Sequence, residues 1–265
     1  MSTGSIAQAT RSTGQRNRGG GVSGAIRAEW VKLWSVRSPY VCLTAGVVVT
    51  AIFTFYYGSI ARINDQPLQP VGNASAASLL LVQFTCAVLA MLTVTGEYAT
   101  GSVRASLLWV PVRQRVQLAK TVVAAAVTFA AGALFGVLGI AVAWVPFRGH
   151  ATFQLASTVG QVTAMGVYCA LIAATAVGVS FLLRASAGAL TVLFILIAAV
   201  PSVLTGLGGD MLLAVNDVMP QTAGMHLMRA GADAPYTWPV ALLIVLSWTV
   251  AAYLAGSLRL RSRDA

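Results

Sequence analysis

Few residues in this chain are placed to do chemistry, and the richest concentration lies between the second and third of its apolar runs. Glu97 follows Gly96 at the end of one run. The helix dipole opposes an anion at a helix C-terminus by about 0.3–1 kcal/mol. Either Glu97 opens a new helix, where the dipole favours it, or a cation compensates it. Thr100-Gly101-Ser102 then turns the chain. Val103–Val110 places Val103, Leu107 and Leu108 on one side, with Arg104 among them, before Pro111 stops it. Such a stretch suits a short helix that docks a partner across the membrane face, and it equally suits a solvated basic loop. Catalytic constellations are missing. No G-x-x-x-x-G-K-[ST], H-E-x-x-H or G-x-S-x-G occurs, and the glycine-rich Gly14–Gly21 lacks the lysine of a phosphate-binding loop. His150 and His226 stand singly. Cys42, Cys86 and Cys169 lie far apart in apolar stretches and read as small buried hydrophobes. The chain is therefore expected not to be an enzyme and to bind no metal or cofactor of its own.

Composition sets the elements that must hold these residues. Hydrophobic residues make up 57% of the chain, charged residues 9%, and the mean hydropathy is +0.79. Soluble domains carry about 25% charged residues. Uncharged runs at 39–60, 75–96, 121–145, 158–183, 186–206 and 238–258 are each long enough to cross a bilayer, which takes about 20 residues. None holds Asp, Glu, Lys, Arg or His well inside, which counts against a proton-coupled pump. Of the 17 Lys and Arg residues, all but Arg62, Arg148 and Arg229 fall in the two tails and two alternate loops. That asymmetry puts both termini in the cytoplasm. It also accounts for the net charge of +10, so nucleic acid is not an expected partner.

The fold expected is an all-α integral membrane domain of six transmembrane helices over 39–258. Residues 1–23 read as a disordered basic cytoplasmic tail without the apolar core of a cleavable signal, and 259–265 as a second tail. Residues 24–38 read as an amphipathic interfacial helix. Ile26, Trp30, Leu33 and Trp34 form its apolar face, Arg27, Glu29 and Lys32 lie off that face, and Ser38-Pro39 breaks it from the first span. Between spans five and six, Met211–Val215 and Thr222–Ala230 read as short outer helices divided by Pro220. Two ridges of small residues recur every four positions, Ala124, Thr128, Gly132 and Gly136, then Gly166, Ala170, Ala174 and Gly178. They fit close helix packing within one subunit better than a contact between subunits.

Five stretches in order carry a resemblance: Ala28–Ser38 (AEWVKLWSVRS), Gly96–Arg104 (GEYATGSVR) with Leu107 and Pro111, Ala119-Lys120, Met219–Gly224 (MPQTAG), and Leu258–Ala265 (LRLRSRDA). Together they resemble the small six-span actinobacterial permeases of type 2, export-class ABC transporters, from Ala28 to the end of the chain. The resemblance implies a transmembrane subunit in a bacterial plasma membrane, paired with a second copy or close homologue. It implies a separate ATPase subunit that binds the ATP and magnesium. The interfacial helix and the loop carrying Glu97, Gly101, Val103, Arg104, Leu107 and Leu108 would contact that ATPase. It places the substrate path at a dimer axis lined by spans one, two and five. Phe53, Tyr56 and Gln83 are candidate contacts there, and the apolar surface suits a lipophilic or amphipathic substrate. Membrane lipid is the remaining partner. On the residues alone, a secondary transporter or a non-transporting membrane assembly factor stays open.

Overall fold

The computed structural model describes residues 21–102, 113–229 and 235–262. Within them the architecture is a helical bundle. A short helix α1 (Gly21–Ser35) leads into α2 (Ser38–Ile63), and then come α3 (Gly72–Thr100), α4 (Arg113–Phe147) and α5 (Leu155–Leu183). The fifth long element, α6 (Ser186–Leu207), contains a π-helical turn at Ile195–Ala199. Two short helices, α7 (Asp210–Asp217) and α8 (Pro220–Met228), precede the last, α9 (Trp238–Ser262). Six of these helices, α2 to α6 and α9, are long and apolar enough to cross a membrane, and the chain is a multi-pass membrane protein on that ground.

The helices outrun the apolar runs from which they are expected. The second is read to end at Gly96, yet α3 continues to Thr100, where Gly101 closes it in the left-handed conformation at φ 72°. The third is read to begin at Thr121, yet α4 begins at Arg113. Glu97 and Lys120 therefore sit inside long helices, because each has its countercharge nearby. In α6 the π turn immediately precedes Pro201, which offers no N–H and crowds the carbonyl of Ile197.

α5 is the central helix, packed on α3, α4 and α9. Both small-residue ridges are used inside the chain. A Cβ on Gly132 would stand 2.9 Å from the Cys169 side chain, and one on Gly166 would stand 2.9 Å from the Phe129 carbonyl. The second ridge also turns away from α4: a Cβ on Gly178 would meet the α9 backbone at Ala252 at 2.5 Å. Such contacts bring backbones close enough for dispersion to act where apolar burial gives no advantage over lipid.

At the end of the bundle away from α1, Gln69–Pro70 (β1) pairs in parallel with Ala151–Thr152 (β2). This two-residue ladder joins the α2–α3 and α4–α5 connections, and the sequence gives no pattern for it. The two short helices expected between the fifth and sixth apolar runs are present as α7 and α8, with Pro220 opening the second.

Candidate functional site

α1 lies against α3 and α4 on a stripe spaced by four residues: Ala25, Glu29 and Leu33 are its buried positions. Leu33 packs with Leu89, Val123 and Val127, and Ile26 and Trp34 are partly buried beside them. Trp30 is 47% exposed. Glu29, read as lying off the apolar face, stands at the centre of the stripe that packs on the bundle, and Trp30, read as part of that face, points away from the bundle. Apolar spacing weights the tryptophans, whereas the charges across the contact decide which face docks.

Lys120 of α4 is the reason. Its side chain is 2% exposed, and its ammonium donates to Glu29 Oε2 at 2.6 Å, to Glu97 Oε1 at 2.8 Å and to the Thr93 carbonyl at 2.9 Å. Three N–H donors thus meet three acceptors, which satisfies the group. Lys32 closes the cluster from the solvent side, 2.8 Å from Glu29 Oε1 and 3.0 Å from Glu97 Oε1. Among the described residues, two carboxylates and two ammoniums make a group that ties α1 to α3 and α4. Partial burial acts to lower the Lys32 pKa, but hydrogen bonds and attraction from Glu29 and then Glu97 outweigh it and hold the amine above its ordinary value. Of the two readings left open for Glu97, compensation by cations is the one realised.

A cavity of about 690 Å³ opens beneath this cluster, between α1 and the adjoining ends of α2 and α3. Leu33, Val36, Pro39 and Leu92 give it apolar walls, with Lys32 and Thr100 among its polar edges. The cluster offers no nucleophile, and among the described residues no group of His, Cys, Asp and Glu could hold a metal. What the arrangement can do is transmit force: a load on α1 reaches two long helices through a buried ionic contact.

Other site residues fall elsewhere. Gly101 ends α3 close to this cluster, while Val103, Arg104, Leu107 and Leu108 lie outside the described residues. On α2, Phe53 is half-buried and Tyr56 is 62% exposed. Gln83 is fully buried, unlike both. It accepts a 2.6 Å hydrogen bond from the Tyr168 hydroxyl and donates at 3.2 Å to Gln221 of α8. α8 thus enters the bundle to the level of a residue roughly three turns along α3. Gly224 makes that entry sterically feasible, since a Cβ there would lie 2.1 Å from the Tyr168 ring. Near the end of α7, the Tyr236 hydroxyl donates to the Asp217 carbonyl. Burial, then the Asp217 carboxylate, push that phenol up to about 12.

The fold and this site define a class: a helical multi-pass membrane protein whose first helix is pinned to two candidate spans by buried charge. No family model matches the chain, and no curated protein matches it in sequence.

Proposed function

We propose that the chain is the permease subunit of an ATP-driven exporter of the type 2 ABC class, working with an ATPase made as a separate chain. One observation carries this reading. Three stretches that resemble such permeases, around Glu29, Glu97 and Lys120, lie far apart in the sequence and meet in one buried ionic cluster. A chain that only needed to sit in the membrane would gain little from burying Glu29, Glu97 and Lys120, because a buried pair is weak evidence for stability. A chain that must pass a push from a partner to its spans gains a stiff connection.

In this reading α1 lies along the cytoplasmic surface of a bacterial plasma membrane, with Trp30 in the interface and both termini on that side. The ATPase bears on α1 and on the segment after Gly101, where Val103, Arg104, Leu107 and Leu108 supply apolar and cationic anchors. Closure of the ATPase on ATP and magnesium moves α1 and the end of α3 together, because Lys120 holds Glu29 and Glu97 to one point. The permease acts as a pair, with a second copy or a close homologue. The exposed apolar surface of α2 supports a lipophilic or amphipathic substrate, with Phe53 and Tyr56 on the path. Gln83 belongs to the same reading only if α8 withdraws and uncovers it.

Affinity purification of the tagged chain from its native membrane tests the reading. An ABC ATPase recovered in equal amount is the expected result. Recovery of the chain alone, under conditions that keep Glu29 and Lys120 paired, refutes it.

A further inference from the structure

Force transmission through the ionic cluster makes no use of the cavity of about 690 Å³ that opens between α1 and the adjoining ends of α2 and α3. Much of its polar lining is already engaged within the chain. Lys120 directs its three N–H groups to Glu29, Glu97 and the Thr93 carbonyl. Glu29 has a lysine on each carboxylate oxygen. The Ser35 hydroxyl donates to the Lys32 carbonyl, and the Thr100 hydroxyl lies between the Gly96 carbonyl and the Ser102 hydroxyl. An ordered water needs about two to four polar partners, and these groups already have theirs in the protein. What the walls leave free is hydrocarbon, on Leu33, Val36, Pro39 and Leu92. An apolar cavity takes an apolar ligand in preference to water, and the volume falls in the range of about 300–1,000 Å³ typical of ligand sites.

Gly96 also speaks for an occupant. It lines the cavity from α3, and a Cβ there would meet nothing within 4 Å among the described residues. Gly132, Gly166 and Gly178 answer to a neighbouring helix that a Cβ would strike. Gly96 has no such neighbour, yet it carries the cost that glycine brings to a helix. Its missing side chain keeps the cavity wide one turn from Leu92. Position then defines the class of ligand. The cavity sits where α1 passes into α2, the first candidate span, and Val36, which lines it, is 50% exposed. With α1 on the membrane surface, that mouth meets the lipid where the span enters it. We propose that the cavity takes one acyl chain of a membrane phospholipid, inserted between α1 and α3 beneath the ionic cluster. The chain is selected and the head group is not, because the walls offer hydrocarbon. This inference rests on the placement of α1 at the membrane surface and needs neither an ATPase nor transport.

The test uses the full chain in phosphatidylcholine nanodiscs doped with phosphatidylcholine that carries a diazirine near the end of one acyl chain. After illumination, mass spectrometry of the digested protein maps the adducts. Leu92 should be labelled, alongside Leu243 and Leu254, which are exposed on α9 and report ordinary lipid contact. Gly96→Trp fills the cavity and should lower the Leu92 adduct about tenfold, as overpacking of an occupied site does, while Leu243 and Leu254 keep theirs. Gly96→Ala adds a Cβ that meets nothing and should leave all three adducts as they are. Val36→Trp narrows the mouth from an exposed position, so it blocks entry without disturbing the core and should also lower the Leu92 adduct. An unlabelled Leu92 in the parent overturns the proposal, and so does a Leu92 adduct that neither tryptophan reduces relative to Leu243. Palmitate carrying the same diazirine, at equal concentration, should label Leu92 less than the phospholipid does. Stronger labelling by the free acid makes the ligand a free fatty acid and overturns the phospholipid. No arm involves an ATPase, so purification of the chain alone would refute the export reading and leave this result standing.

Discussion

Replacing Lys120 by Met removes the one ammonium that both carboxylates share inside the contact. The substitution keeps the length of the side chain and takes away its charge. Lys32 still reaches both Glu29 and Glu97, at 2.8 and 3.0 Å. Breaking a buried pair by removing one partner costs about 3–5 kcal/mol. The remaining lysine softens the loss, so the lower end applies, and about 3 kcal/mol corresponds to roughly a hundredfold shift towards undocked α1. A cysteine at Ala25, which is 7% exposed and lies on the docked stripe, reports that shift. In a background free of other cysteines, its rate of alkylation follows the undocked population. Two double variants make the test sharper. Glu29→Gln with Lys120→Met keeps Glu97 paired with Lys32, so one ionic contact still spans α1 and α3. Glu97→Gln with Lys120→Met keeps only Glu29 and Lys32, which both belong to α1. Each double leaves one carboxylate and one ammonium of these four groups, yet the second should label much faster than the first. Equal labelling of the two, or Lys120→Met labelling no faster than its parent, would refute the idea that buried charge pins α1.

Four further outcomes are expected. Gly224→Ala should lower the thermal stability of the solubilised protein by about 1–3 kcal/mol through overpacking on Tyr168, whereas Gly160→Ala, which meets nothing within 4 Å, should cost nothing. Alkylation at Ala25→Cys, normalised to a free thiol, should be flat between about pH 6 and 9, because a raised Lys32 pKa gives a contribution that is complete below the ordinary lysine value of about 10.4 and is lost only as pH rises through the folded one; a rise within that range would mean another group controls docking. On the proposed orientation, cysteines at Asp65, Gly149 and Asp217 should react with an impermeant thiol reagent from outside, and those at Gln114 and Ser262 only after permeabilisation. Leu107→Asp should release the ATPase or uncouple it at unchanged permease level, with Arg113→Ala doing much less; the reverse pattern in a pull-down would move the contact surface off this part of the loop.

The six candidate spans were legible because hydropathy alone dictates them, and the break at Pro39 and the opening of α8 at Pro220 follow from what proline does to a helix. The ionic cluster was not, and the reason is physical. Glu29 and Lys120 are 91 residues apart, and no local pattern records a partner that distant. On α1 the two tryptophans set the apparent apolar face, yet tryptophan also favours the membrane interface, so one residue type argues for two opposite orientations. A better signal was present in the unexplained anion. Glu97 stands where a helix dipole opposes it, and a charge in that position requires a cation from elsewhere. Lys120 is the nearest lysine following it in the chain, and the short residues at Ala25 and Ala28 leave room for α1 to approach. The depth of α8 was hidden for a similar reason: Gly224 signals that something comes close, but only the folded chain identifies it as Tyr168. In both places the sequence marks a need, a countercharge or a missing Cβ, and packing supplies the residue that meets it. Unmet needs of this kind are therefore the features worth carrying forward from a membrane sequence, ahead of the apolar faces that lipid satisfies as readily as protein does.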